Sequence, residues 1–296
     1  MFYTLTLNPA LDYVVETDGL RLGETNRSNE SEIQLGGKGL NVSYVLGQLG
    51  VSSVALGFVA GFTGNELERL AAASGIKTDL VHLTQGMTRI NVKLKGDTET
   101  EINTSGPVVS DVELCELFSK LDVLKSGDTL VMAGSIPPSL PNNIYEKIMQ
   151  RLYNRGVRFA VDASKDVLLN TLKYKPLLIK PNLAELCETV GKDLNSEAEI
   201  LTAARFLQAK GALNVLVSMG EKGAVLVDSR GLEHRAPARQ LTPVNTVGAG
   251  DSMVAGFLKG LRLGPEYALR LAMAAASATA ASKDLATKAE IEQFLR

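Results

Sequence analysis

The sequence is poor in the residues from which metal, redox and hydrolase centres are built. Among 296 residues there are two cysteines and two histidines. His82 and His234 are far apart and share no ligand-type spacing, which counts heavily against a zinc site or a serine–histidine hydrolase. Cys115 and Cys187 both fall in helical patterns and are expected to be small core residues rather than a disulfide or a metal pair. An excess of one charge is also missing: 31 Lys and Arg face 33 Asp and Glu, a net charge of −2, with no basic block. Nucleic acid and anionic membrane surfaces are therefore not expected as partners, and any anionic ligand needs a local cluster of donors. No apolar run approaches a membrane span, and the opening MFYTLTLNPALDYVV has no basic region before Asp12. A soluble cytoplasmic protein is expected. Repeats, low-complexity tracts and linkers are absent as well.

What the chain does have is 45% hydrophobic residues, ample for a large core. FYTLTL, SVALGFV, DTLVMAG, VRFAVDAS, PLLIKPN and NVLVSMG read as buried strands. Between them lie helical patterns such as LNVSYVLGQLG, where Val42, Val45, Leu46 and Leu49 share a face and Gly50 is the stop. Capping boxes are expected at Thr63/Glu66, Ser110/Glu113 and Ser196/Glu199. Strands alternating with helices predict an α/β fold with a mostly parallel sheet covered on both faces. Two stretches stand apart. VVETDGLRLGETNRSNESEIQL is polar and turn-rich. RINVKLKGDTETEIN alternates Ile90, Val92 and Leu94 with Arg89, Asn91 and Lys93, with a hairpin turn expected at Gly96-Asp97. They predict a small, mostly antiparallel sheet, a lid inserted at about 13–35 and 88–104 of a single domain spanning 1–296. Its apolar face needs burial, so a homodimer through the lid is expected.

In an open parallel sheet, ligands bind beyond the carboxyl ends of the strands. Asn8-Pro9, Gly134-Ser135, Lys180-Pro181-Asn182 and Ser218-Met219-Gly220 all follow expected strands, so they share one edge. NTVGAGDSMVAGF opens a helix on Gly248, Ala249, Gly250 and Asp251. A helix start offers unpaired N–H groups and partial positive charge, and glycines let an anion approach that backbone. A carboxylate beside a bound anion then needs a purpose, and general-base chemistry supplies one. Residue type alone is equally compatible with Asp251 complementing the helix dipole; the paired glycines favour the base. GGKGLN is a second glycine-rich helix entry, in which Lys38 and Asn41 offer donors beside Gly37. It is neither a Walker A loop nor a dinucleotide fingerprint. KPNLAEL sets Asn182 and Glu185 on one helix face, either as a cap or as the organiser of a hydrated Mg2+. SMGEKG is either a plain turn or a place where Ser218, Gly220 and Gly223 let a nucleotide lie against backbone. Arg89 on the lid is either solvated or a phosphate clamp.

GGKG-x-N near the start and T-V-G-A-G-D near the end resemble the paired signatures of the ribokinase-like carbohydrate kinases of PfkB type, and the likeness covers essentially the whole chain. TLNPALD, GSIPPSLP, KPNLAE and SMGEKG are similar to the members that phosphorylate sugar phosphates. The resemblance implies a three-layer αβα sandwich with a small β-sheet lid. It also implies ATP and Mg2+, and transfer to fructose 1-phosphate to give fructose 1,6-bisphosphate, with tagatose 6-phosphate as the alternative acceptor. Residue by residue, it implies Asp251 as the base and Gly248, Ala249 and Gly250 as the anion hole. Asp12, Gly37, Lys38 and Asn41 would hold the sugar. Arg89, with Ser135, Lys38 and Arg27, would hold its phosphate. Lys180, Asn182 and Glu185 would serve ATP and its magnesium, Glu185 through water. Ser218, Gly220 and Gly223 would line the nucleotide cleft, with adenine near Ser277. The chain departs from many relatives at Asn245, where they carry Asp, and at Ser139, where they carry Gly.

Overall fold

The computed structural model describes residues 1–96, 100–239 and 241–296. β1 (Phe2–Thr6) runs through Asn8-Pro9 straight into β2 (Ala10–Glu16), and β3 (Glu30–Gly36) returns antiparallel to it. α1 (Lys38–Gln48) and β4 (Ser53–Ala60) carry the chain back into the main sheet. α2 (Gly61–Ala73), β5 (Lys77–Thr78) and β6 (Val81–Leu83) follow. Next come β7 (Arg89–Lys95) and β8 (Thr100–Ile102), then α3 (Asp111–Leu121), β9 (Thr129–Ala133) and α4 (Ile144–Leu152). β10 (Arg158–Asp162), α5 (Lys165–Leu169), β11 (Leu178–Ile179) and α6 (Leu183–Val190) continue the alternation. α7 (Glu197–Ala209) leads to β12 (Val215–Ser218), β13 (Ala224–Val227) and β14 (Glu233–Ala236). Three helices close the chain: α8 (Ala249–Gly260), α9 (Pro265–Ala281) and α10 (Lys288–Leu295).

Among the described residues, ten strands form one sheet in the order β14-β13-β12-β11-β10-β9-β1-β4-β5, with β6 also on β4. All pairings are parallel except β12–β13 and β13–β14. Because side chains alternate, each strand feeds two cores. Leu130, Met132, Phe159, Val161, Val215 and Val217 pack with α3, α4 and α7 on one face. Val131, Ala160, Leu178 and Leu216 pack with α1, α8, α9 and α10 on the other. This is the three-layer α/β architecture expected.

The second sheet has the order β3-β2-β7-β8, with two antiparallel pairs around a parallel β2–β7 centre. Its strands begin at Ala10, slightly ahead of the expected insertion. Asp97 of the expected turn lies outside the described residues. Leu11, Leu35 and Ile90 rest against α2. Farther out, Tyr13, Ile33 and Ile102 are exposed.

Two local expectations are corrected. Thr63/Glu66 is not a capping box: α2 opens two residues earlier, after an extended Ala60 with no side-chain cap. The Thr63 hydroxyl instead donates to the Thr88 carbonyl at 2.8 Å, and Glu66 pairs with Arg69 one turn on. Tertiary anchoring to the Thr88 strand entry outcompetes the local cap. Cys115 is not a core residue; α3 presents it to solvent, while Cys187 is half-buried. The boxes at Ser110/Glu113 and Ser196/Glu199 form as expected. No helix among the described residues is long and apolar enough to cross a membrane.

Candidate active site

α8 starts on Gly248 in a left-handed conformation, φ 78°. A side chain there is strained on backbone grounds, and its Cβ would lie 2.4 Å from Leu285 Cδ2. One turn in, Asp251 is buried, and Asn41 Nδ2 on α1 donates to its Oδ2 at 2.8 Å. Gly250 faces the Lys180 ammonium, which would lie 3.2 Å from a Cβ placed there. The helix start and the Lys180 cation therefore converge on one spot, which suits a polyanion, although the Ala249 N–H already donates to the Thr246 carbonyl at 3.3 Å.

Between the two glycine-rich helix starts sits a carboxylate that the sequence reading passed over. Asp162, the last residue of β10, is buried and held by two ammonium groups, Lys38 Nζ at 3.1 Å and Lys180 Nζ at 3.4 Å. Burial opposes its charge, but Lys180 and Lys38 outweigh that and keep its pKa below the ordinary value. Lys38 behaves reciprocally: burial works against its charge, yet Asp162, Asp251 and Glu185 hold its pKa at about 12. Asp251 goes the other way. Burial, then repulsion from Asp162, push it up to about 7, with Asn41 and the two lysines pulling it back only in part. Two buried aspartates thus share one pocket with opposite fates, the pattern that separates a structural anion from a proton acceptor. The signal for Asp162 was available, since it ends a buried parallel strand at the edge where the other motifs meet.

The smaller sheet turns its polar face inward. Asp12, Asn91 and Lys93 are all buried, Asp12 accepting from Asn91 Nδ2 at 2.9 Å and pairing with Lys93 Nζ at 3.1 Å. Gly36 makes this possible, because a Cβ on the facing strand would fall 2.9 Å from the Asp12 carboxylate. Arg89 Nε donates to the Asn8 carbonyl at 3.1 Å, which draws β7 onto the end of β1. A cavity of about 360 Å³ reaches Asp12 and Asn41 from the side of Tyr44 and Leu285. It meets Asp251 only through Asn41.

The remaining candidates are spread around this centre. Gly37 is the N-cap of α1, and Gly134, just before Ser135, lies against the Lys38 side chain. Asn182 and Glu185 form a reciprocal capping box at 2.7 and 2.8 Å, so one Glu185 oxygen is already engaged. Ser218 bridges to Asn182 at the sheet edge. Gly220 and Gly223 flank a short turn into β13; a Cβ on Gly223 would strike the Ala236 carbonyl at 2.1 Å, so packing alone requires that glycine. Ser277 is buried within α9. Arg27 is exposed on the connection between β2 and β3, and no hydrogen bond or ion pair among the described residues joins it to the other candidates. Asn245 clamps two loops, donating to the Lys283 carbonyl at 2.8 Å and accepting from Val247 N at 3.0 Å. Ser139 has a task that glycine could not perform, as its hydroxyl accepts from Val109 N at 3.0 Å.

Among the described residues, no three acidic, histidine or cysteine side chains converge as metal ligands. Asp162 Oδ1 is buried without a hydrogen bond of good geometry. That donor set fits a magnesium ion held mainly by phosphate oxygens and water, and does not fit a protein cage.

A family model described as pfkB family carbohydrate kinase matches residues 5–292. The 1-phosphofructokinase of Bacillus subtilis is 42% identical, the match covering 100% of this chain and 97% of that protein. A D-tagatose-1-phosphate kinase of Bacillus licheniformis is 38% identical over 99% of this chain and 97% of its own length. Among solved structures, phosphofructokinase-2 of Escherichia coli in complex with substrates and products superposes with a TM-score of 0.94. It is 28% identical, with 99% of this chain and 98% of that one covered.

Proposed function

The chain belongs to the pfkB family of carbohydrate kinases, and from that membership we propose that it transfers the γ-phosphoryl group of ATP to the free primary hydroxyl of fructose 1-phosphate. The product is fructose 1,6-bisphosphate. The observation that supports the chemistry best is Asp251, a buried carboxylate with its pKa pushed up to about 7, one turn inside a glycine-rich helix start. Burial and the neighbouring Asp162 raise its proton affinity, which suits a group that takes a proton from an attacking hydroxyl.

The acceptor oxygen forms its bond to the γ-phosphorus as the bond to the β–γ bridging oxygen breaks, and ADP leaves. Asp251 takes the hydroxyl proton late, because the transition state is loose. The N–H groups at Gly248, Ala249 and Gly250, with Lys180, stabilise charge on the transferring group. Magnesium, when bound with the nucleotide, supplies further neutralisation of the phosphate oxygens. Asp12, Gly37, Lys38 and Asn41 orient the sugar, and Arg89 with Ser135 and Lys38 holds its phosphate. Asn182, Glu185, Ser218, Gly220 and Gly223 border the nucleotide, with Ser277 beside adenine. The smaller sheet acts as a lid that excludes water, and its exposed Tyr13, Ile33 and Ile102 face is covered in a homodimer.

The similarity to the Bacillus licheniformis D-tagatose-1-phosphate kinase favours a second reading, in which the acceptor is tagatose 1-phosphate, the C4 epimer with its phosphate on the same carbon. Tagatose 6-phosphate is less favoured. A coupled ADP-release assay comparing fructose 1-phosphate, both tagatose phosphates and fructose 6-phosphate by kcat/KM decides among them. Preference for fructose 1-phosphate is expected, and no turnover on any acceptor would overturn the proposal.

A further inference from the structure

We propose that Asn91 and Lys93 are positioning residues that hold Asp12 in its sugar-binding orientation and tie it to Arg89, so that the acceptor's hydroxyls and its phosphate are recognised as one unit. The inference rests on the sugar-phosphate reading above. In the parallel β2–β7 pair, Asn91 is the register partner of Asp12, and Lys93 lies two residues on along the same inward face. Among the described residues each Asp12 oxygen has one partner, Oδ1 the Asn91 amide at 2.9 Å and Oδ2 the Lys93 ammonium at 3.1 Å. A carboxylate offers about four acceptor positions, so room remains for sugar hydroxyls. The other end of Asn91 is also engaged: Oδ1 accepts from the Arg89 guanidinium at 3.3 Å and from Thr104 N at 3.3 Å. That pattern leaves a single orientation for the amide, oxygen towards Arg89 and nitrogen towards Asp12.

A buried ammonium is an expensive way to staple two strands, since desolvation cancels much of the attraction. Here the cation is buried on the face turned to the cleft, while the apolar alternates of the same strand are left half-exposed. Lys93 also reaches Glu101 on β8 at 3.8 Å, which anchors it from the far side. Residues that only stapled the sheet would set its stability. Residues that position Asp12 set affinity for the sugar and discrimination between its epimers.

The test is steady-state kinetics on the full chain and on Asn91→Ala, Lys93→Met and Lys93→Arg, with fructose 1-phosphate and tagatose 1-phosphate as acceptors. Asn91→Ala and Lys93→Met are expected to raise KM for fructose 1-phosphate about 10- to 100-fold, the loss of one charge-assisted hydrogen bond. KM for ATP should hold, the kcat/KM ratio between the two epimers should shrink, and Lys93→Arg should recover most of both. Should Lys93→Met fail to fold, Asn91→Ala carries the same comparison. Variants that lower Tm but keep the sugar KM and the epimer ratio would reduce both residues to staples and overturn the inference. An inactive wild type would instead bring down the sugar-phosphate reading itself, and this inference with it.

Discussion

In the large sheet, β9 sends Leu130 and Met132 into one core and Val131 into the other, all fully buried. In the smaller sheet, β7 buries Asn91 and Lys93 and leaves Ile90, Val92 and Leu94 only partly covered. Both strands alternate with the same period, but they meet different surroundings. The large sheet is covered by helices on both faces, so its charged and candidate site residues gather where strands stop, at Asn8, Ser135, Asp162 and Lys180. The smaller sheet covers a polar cleft, so its chemistry lies along the strands. In the function proposed, the strand ends act through the charge balance among Lys38, Asp162, Lys180 and Asp251, and the smaller sheet through the face it presents.

If that contrast holds, substitutions at the ends of the large sheet and at the helix start move kcat and stability, and substitutions in the smaller sheet move affinity and association. Asp251→Asn is the most severe case, with kcat falling by about 10²- to 10⁴-fold. The same change should stabilise the fold. Because its folded-state pKa is raised, the Asp251 carboxylate costs stability progressively as pH rises from about 4 to about 7. The variant's gain in Tm should accordingly be larger at pH 8 than at pH 5, and equal gains at both would contradict the buried charge.

Asp162→Asn removes the anion between buried Lys180 and half-exposed Lys38 and should cost about 3 kcal/mol in denaturant unfolding, the lower end of the loss when one partner of a buried pair is deleted, because solvent reaches Lys38. It also removes repulsion from Asp251, so the rise of kcat with pH should move to lower pH. An unchanged profile would show that burial alone sets the base. On the other side of the comparison, Arg89→Ala should raise KM for the sugar phosphate about 10- to 100-fold with little change in Tm. An effect on kcat alone would blur the distinction between the sheets. Ile33→Glu should shift the protein to monomer in light scattering while leaving Tm of the monomer nearly intact. Cys115→Ser, at a solvent-facing helix position, should change stability by no more than about 0.5 kcal/mol.

Much of the fold is legible in the sequence. The strands of the main sheet, the helices between them and two of the three capping boxes follow from period and cap chemistry. Asn8, Lys180 and Ser218 could be placed on one edge because parallel strands must end together. Thr63 shows the limit of local rules, since its hydroxyl had a better partner at Thr88 than at its own helix start. Asp162 was overlooked because it sits in an apolar strand with no glycine or proline to mark it.

The sequence by itself determined the alternation of elements, the two glycine-rich helix starts and the existence of a strand pair with unlike faces. These depend on residues close together in the chain. Only the tertiary structure decided that the polar face of β7 turns inward, and that the pKa of Asp162 is lowered while that of Asp251 is raised. A period of two states that the faces differ but not which one is covered. A pKa is set by burial and by charges a few ångströms away, and here those charges come from α1, β10, α8 and the residue that follows β11.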